Sequence, residues 1–309
     1  MSRRAGLEGR APERDPAGSA GIDALSRIRA ARPSLPPSER RVAEVVVADP
    51  AGCSELSIGV LADRASTSAA TVLRFCRTLG FASYPQLRLA LAAAVAHDRA
   101  VGGGRPELGA DIDPADTLDQ VVEKVIYNEV RALEETVRSV DPAVLGRAVD
   151  AIAAARRIDI FGVGASAFVG QDLHQKLHRI GRIAFVWTDV HAALTATALL
   201  GPGDVAIGIS HSGETEDTVD PLATAAARGA TTVALTNFPQ SALAEAADLV
   251  LTTSARETPL RSGATVSRIA QLALVDCLFV AVAQRSYEAS AAALHETYTA
   301  VQRRRRRRP

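Results

Sequence analysis

From Arg157 onward the chain alternates short β-rich apolar runs with spacers of helical length: IDIFGVG, IAFVW, DVAIGIS, TTVALT and DLVLTT. Strands separated in this way form βαβ units. Their continuous apolar character suits a parallel sheet covered on both faces. The expected fold of residues 117–286 is therefore an α/β domain with a parallel five-stranded sheet flanked by helices.

The remainder of the chain divides by composition. Residues 1–21 are rich in Gly, Pro, Ala and Arg without apolar period and read as a flexible tail. Residues 22–97 carry helical periodicity and read as a compact all-α domain. The stretch HDRAVGGGRPELGADIDPAD then supplies a linker, assigned to 98–116 with its glycines at Gly102 to Gly104. Residues 287–309 are a C-terminal extension, and the arginine run that ends it, Arg303 to Arg308, is expected to be disordered.

Several classes are excluded at this level. A hydrophobic fraction of 47% with 23% charged residues describes a globular protein, not a disordered or collagenous one. The strongly apolar stretch from Leu272 to Ala283 is interrupted by Asp276 and is shorter than the roughly 20 residues of a bilayer span. The amino terminus has no apolar run behind its arginines, so no secretory signal is expected, and the cytoplasm is the expected location. Cys53, Cys76 and Cys277 show neither metal nor redox spacing. No disulfide, metal, membrane partner or cofactor is expected.

The formal net charge of zero conceals an uneven distribution. Residues 22–97 hold nine Arg against six acidic residues, a net of +3. Residues 98–302 hold 16 basic against 26 acidic residues, a net of −10, and Arg303 to Arg308 add six positive charges. A basic front and a basic tail on an acidic body make polyanions candidate partners for the two ends.

In the front domain, SELSIGVLADRASTSAATVLRFCRTLGF contains two helical patterns joined at Ala65, Ser66 and Thr67. Ile58, Leu61, Ala62 and Ala65 line one face of the first; Val72, Phe75, Cys76 and Leu79 line one face of the second. Ser68 is the expected N-cap. With that face inward, Ser68, Thr71, Arg74 and Thr78 are expected to point outward, with Arg77 at the margin and Ala70 small enough for close approach. Such a helix suits the major groove of double-stranded DNA, where hydroxyls and Arg contact base edges or phosphates. From spacing alone, a small helical bundle with a solvated face fits equally well.

Beyond spacing, Ser68, Thr71-Val72, Arg74-Phe75-Cys76, Leu79-Gly80-Phe81, Tyr84 and Leu87, with SER at 38–40, resemble the amino-terminal helix-turn-helix of the MurR/RpiR transcriptional regulators. The resemblance implies DNA binding through Ser68, Ala70, Thr71, Arg74 and Arg77. The turn departs from it, with Ser66 where the family often has Gly, so a left-handed conformation there carries a cost.

In the rear domain, two loops stand at carboxyl ends of predicted strands, where ligands sit in open α/β sheets. Gly162-Val163-Gly164-Ala165-Ser166 brings backbone N–H groups and a hydroxyl to a helix amino terminus. The third glycine of a dinucleotide fingerprint is replaced by Ala167, which argues against a nicotinamide site. Ile209-Ser210-His211-Ser212-Gly213-Glu214-Thr215 supplies hydroxyls and a glycine that can wrap a phosphate, or more simply cap a helix.

These loops, with the segment from Arg261-Ser262 through Leu272, resemble the sugar isomerase (SIS) domain, a flavodoxin-like phosphosugar-binding module of enzymes and regulators. The resemblance implies an effector site at Gly164, Ser166, Ser210, Ser212, Gly213 and Thr215, with Glu257 near the sugar hydroxyls.

Histidines are the candidates for isomerase chemistry. His174 and His178 stand at i, i+4 without HExxH or a third ligand; His211 reads as lining; His191 either reaches the pocket or sits in an ordinary loop. Asp276 could pair with Arg268, about two turns away, and is expected to be structural. No acid–base pair stands out, and catalytic residues are expected to be none. The expected function is a non-enzymatic regulator, a dimer or tetramer, whose operator affinity responds to a phosphorylated sugar or amino sugar. The alternative is a sugar-phosphate isomerase or lyase.

Overall fold

The computed structural model describes residues 24–32, 35–101, 111–257 and 265–305. The front unit is built of six helices, α1 (Ala24–Ala31), α2 (Pro37–Ala48), α3 (Pro50–Glu55), α4 (Ile58–Arg64), α5 (Ala69–Thr78) and α6 (Tyr84–Val101). Local chemistry fixes their starts. Pro37 opens α2, and Asp49, Ser57 and Ser68 cap α3, α4 and α5 by accepting the N–H of Gly52, Val60 and Thr71. Val42, Leu61, Phe75, Leu87 and Leu91 meet in one core with almost no exposed surface.

The turn between α4 and α5 stores strain. Thr67 N–H donates to Ala62 O at 2.9 Å and Ser66 N–H to Asp63 O at 3.0 Å, the paired bonds of a Schellman motif. That motif needs a left-handed residue, and Ser66 supplies it at φ +47°. Arg41 clamps the turn by donating to Ala65 O at 3.2 Å and Ser66 O at 3.1 Å. The cost anticipated from the sequence is present. Ser66→Gly is expected to stabilise the front unit by about 1 kcal/mol, read as a higher denaturant midpoint at unchanged slope.

The second unit opens with α7 (Leu118–Ser139) and α8 (Pro142–Ala154). There follow β1 (Arg157–Phe161), α9 (Ala165–Arg179), β2 (Ala184–Trp187), α10 (Val190–Thr197), β3 (Asp204–Ile209), α11 (Glu216–Ala227), β4 (Thr231–Thr236), α12 (Ala242–Glu245) and β5 (Leu249–Thr252). Two long helices close it, α13 (Val266–Arg285) and α14 (Tyr287–Arg305). All five strands are parallel, in the order β2-β1-β3-β4-β5. Side chains alternate along them. Ile158, Ile160, Ile207 and Leu235 join α8, α9 and α13 on one face, whereas Phe161, Ala206 and Ala234 join Leu222 of α11 and Leu243 of α12 on the other.

Four sequence expectations need revision. The linker is shorter than 98–116: α6 runs to Val101, and the buried Lys124 binds Asp111 O and the Asp116 carboxylate, attaching 111–116 to the second unit. Gly102 to Gly104 lie outside the described residues. Asp276 pairs with Lys176 of α9, which also holds Asp172, and not with Arg268, because α13 packs on α9 and turns Asp276 toward it. The apolar segment that read as too short is the 20-residue α13, long and apolar enough to cross a bilayer; here it packs against α7, α8 and α9. The arginine run is not disordered from its start, because α14, anchored by Leu294 on the sheet core, reaches Arg305; Arg306 to Arg308 lie outside the described residues.

Candidate functional site

The first candidate surface is the outer face of α5. Ala70, Leu73, Arg74 and Arg77 are exposed at i, i+3, i+4 and i+7, so two guanidinium groups share a face with a small and an apolar residue. Such a face offers charge-assisted donors and a methyl-bearing surface to a groove. Ser68 also remains exposed at the cap.

One outward-facing expectation fails. Thr71 is 4% exposed, because the first turn of α5 tilts it under the cap: its Oγ1 lies 3.1 Å from Ser68 Oγ and accepts from Arg74 Nη2 at 3.1 Å. It holds Ser68 and Arg74 in place instead of facing outward. Thr78 is exposed as expected, and its Oγ1 donates to Oε2 of the buried Glu39 at 2.9 Å, tying α5 to α2. Leu73, outside the expected set, takes the vacant outward position. Its apolar type gave no reason to place it outside.

The second candidate site lies where strand order reverses. In the order β2-β1-β3-β4-β5, the connections leaving β1 and β3 depart to opposite sides and open a crevice at their carboxyl ends. Gly162 closes the approach between them: a Cβ there would lie 3.1 Å from Ser166 O and 3.2 Å from Ile209 O. Gly164 turns the chain at φ +57° into α9, and Ser166 sits in its first turn, 9% exposed.

The loop after β3 folds on its own hydroxyls. Ser210 Oγ accepts from Gly213 N at 3.0 Å and lies 3.1 Å from Thr215 Oγ1 and 3.5 Å from Ser212 Oγ. Ser212 Oγ accepts from Glu214 N at 3.2 Å. Thr215 occupies the N-cap position of α11 without making a side-chain cap bond. Its hydroxyl turns to Ser210 Oγ instead of capping the helix. Three hydroxyls gathered at a helix amino terminus can surround an anion and exchange their mutual bonds for bonds to it.

Glu257 follows β5 and accepts from Ser267 Oγ of α13; its Oε2 stands 3.9 Å from His211 Nε2. His211 rests edge-on against Phe238, with ring centroids 5.5 Å apart. Burial lowers its pKa below the usual imidazole value, against the opposing pull of the Glu257 carboxylate, and favours the neutral ring. The site thus extends from the hydroxyl loop through His211 to Glu257.

Asn237 was missed by sequence reasoning. Its N–H donates to His211 O at 3.1 Å and its Oδ1 accepts from Ala255 N at 2.7 Å, so it joins the ends of β3, β4 and β5. An Asn directly after the strand TTVALT was the available signal. The other histidines lie apart from this chemistry: His174 and His178 pair with rings 5.8 Å apart on α9, and His191 is exposed on α10. Among the described residues, no group of three or more His, Cys, Asp or Glu could hold a metal ion.

Comparison with known proteins matches both units. Residues 22–98 match the helix-turn-helix domain of the rpiR family, and residues 151–281 match the SIS domain. An uncharacterised HTH-type transcriptional regulator of Caldanaerobacter subterraneus subsp. tengcongensis is 38% identical over 86% of this chain and 92% of its own. The Vibrio vulnificus NanR protein, solved in complex with ManNAc-6P, is 29% identical over 90% of this chain and 97% of that one, at a TM-score of 0.58. The sugar isomerase domain of an RpiR transcription factor from Sphaerobacter thermophilus is 34% identical over 58% of this chain and 99% of that one, at a TM-score of 0.54.

Proposed function

The chain belongs to the rpiR family of helix-turn-helix transcriptional regulators with a SIS domain, and from that premise we propose that it is a sensor whose operator affinity is set by a phosphorylated sugar. The α5 face of Ala70, Leu73, Arg74 and Arg77 enters the major groove, with Ser68 beside it and Thr71 holding Arg74. The effector's phosphate occupies the loop of Ser210, Ser212, Gly213 and Thr215, flanked by Gly164 and Ser166. Glu257 and His211 meet the sugar.

The observation that carries this reading is the convergence of three hydroxyls within 3.5 Å, one of them on a helix start it does not cap. The ManNAc-6P bound by the Vibrio vulnificus relative supports an amino-sugar phosphate. Self-association is supported by the exposed apolar stripe of Leu118, Val122, Ile126 and Val130 at four-residue intervals along α7. Coupling between the sites then requires different effector affinities in two subunit arrangements, worth about 1 to 3 kcal/mol.

The test is thermal stabilisation of the full chain by a panel of sugar and amino-sugar phosphates, each hit followed for turnover. A ligand at 100 times its Kd contributes about 2.7 kcal/mol. Ser212→Ala is expected to weaken the hit about tenfold, through loss of one charge-assisted bond, with DNA binding of the ligand-free protein unchanged. Unaltered effector affinity would remove the loop from the site. The second reading, an isomerase or lyase, draws on the His211–Glu257 pair; conversion of the hit to product would establish it in place of the sensor.

A further inference from the structure

Exposed arginines of the front unit stand in different surroundings. Arg32 lies 3.6 Å from Glu44 and Arg64 lies 3.7 Å from Asp49, so each has a carboxylate beside it. Arg41, Arg74 and Arg77 are exposed as well, and none of these three forms an ion pair among the described residues. Arg74 and Arg77 belong to the outer face of α5. Arg41 does not: it is carried on α2 and has no place in the DNA-binding set read from the sequence.

Its guanidinium is nevertheless fixed relative to α5. Nε donates to Ala65 O at 3.2 Å and Nη2 to Ser66 O at 3.1 Å, which holds the group against the turn leading into that helix. Glu39, two residues earlier on α2, accepts the hydroxyl of Thr78 near the far end of α5, so α2 is tied to both ends of the helix. A guanidinium carries N–H donors beyond those two, and the rest have no partner among the described residues. A long side chain ordinarily loses rotamer freedom when it forms a contact; here the clamp has already ordered it, so an anion meets a pre-organised group.

The place of the clamp says which anion. In a helix-turn-helix, the second helix enters the major groove by its amino-terminal end while the first crosses the backbone. The turn between them lies where the groove gives way to the phosphate ridge. A charge held at Ser66 O is placed for a backbone phosphate, with the bases left to α5.

We propose that Arg41 is a DNA-contacting residue outside the recognition helix, whose remaining N–H groups grip a backbone phosphate at the edge of the groove that α5 reads. The inference rests on the reading that the front unit binds DNA through α5. Phosphate carries no base identity, so the contact strengthens binding to selected and unselected DNA alike. One neutralised phosphate adds about 0.9 to the dependence of log affinity on log salt for each subunit engaged.

The experiment measures affinity against salt concentration for a duplex selected from a random double-stranded pool by the full chain and for a scrambled duplex of equal length. Wild type is compared with Arg41→Gln, Arg41→Lys, Arg32→Gln and a double variant joining Arg41→Gln to Ser66→Gly. Arg41→Gln is expected to lose about 0.9 or more from the slope on both probes, so that its deficit against wild type shrinks by about 3.5-fold or more between about 50 and 200 mM salt. Arg41→Lys is expected to keep the slope, because counterion release counts charges, and Arg32→Gln to keep it because Glu44 already answers that charge. The double variant separates charge from clamp: Gly relieves the strain at residue 66, so the denaturant midpoint recovers while the slope stays low.

An unchanged slope in Arg41→Gln overturns the proposal, as does a lowered slope in Arg41→Lys. Recovery of the slope in the double variant also overturns it, since Arg41 would then act through the turn alone. So does an equal loss in Arg32→Gln, which marks a response to net charge and not to this residue. Absence of any selected duplex refutes operator recognition by α5 and leaves Arg41 to be judged on the scrambled probe, so the two readings fail separately.

Discussion

Gly213→Ala is expected to abolish the effector response and to destabilise the SIS domain by about 2 to 5 kcal/mol. Two independent terms add. Gly213 lies at φ +69°, where an L side chain costs about 1 to 2 kcal/mol. Its new Cβ would also fall 2.0 Å from Ser241 Oγ and 2.9 Å from Thr236 Oγ1, and overpacking of this kind costs about 1 to 3 kcal/mol. The loop has no room to yield, since Gly213 N–H donates to Ser210 Oγ and its carbonyl accepts from Leu243 N at 2.9 Å. Denaturant unfolding and titration with the effector check both parts. Adding Ser241→Gly to the variant removes the overlap with Ser241 and leaves the Thr236 contact and the backbone term, so part of the lost stability should return. Wild-type effector affinity in Gly213→Ala would mean that the phosphate binds elsewhere.

Arg74→Ala is expected to reduce operator affinity by about 1 to 3 kcal/mol, roughly tenfold to more than a hundredfold, while leaving effector affinity intact. The loss has two sources. Arg74 is exposed on the outer face of α5, and its Nη2 also donates to Thr71 Oγ1, which in turn contacts the cap hydroxyl of Ser68. Truncation removes a donor to DNA and frees the buried hydroxyl that orders the helix start. Competition between selected and scrambled duplexes separates base reading from phosphate contact: loss confined to the selected duplex marks base reading. Equal loss of DNA and effector binding would indicate misfolding.

The two-unit architecture, the parallel five-stranded sheet and its flanking helices were legible in the sequence because each rests on periodicity. The strain at Ser66 was legible by a different route, since the resembled family often has Gly at this turn and Ser there pays for the left-handed conformation. Thr71 was not legible. Its helical phase places it at the edge of the buried face, and a hydroxyl there goes inward when a partner such as Ser68 lies close, which spacing does not reveal. The same limit applies to Asp276: sequence offered Arg268 two turns away on its own helix, whereas Lys176 is brought near only by packing of α13 on α9. In the candidate site, residue types that bind anions stood out in their loops. Asn237 did not, because its role is to join three strand ends that only the completed sheet brings together.

The strand order also governs when, during folding, the pocket comes into being. The crevice needs β3 laid against β1, which pairs Arg157 with Asp204 across an excursion through β2 at the sheet's edge. Glu257 joins only after β4 and β5 have added in turn. Closing such distant pairs comes late, since the entropy of loop closure must be met before the contacts reward it. On the proposed function, a nascent or partly unfolded chain with a formed α5 surface but an unfinished pocket is expected to bind DNA without responding to the effector.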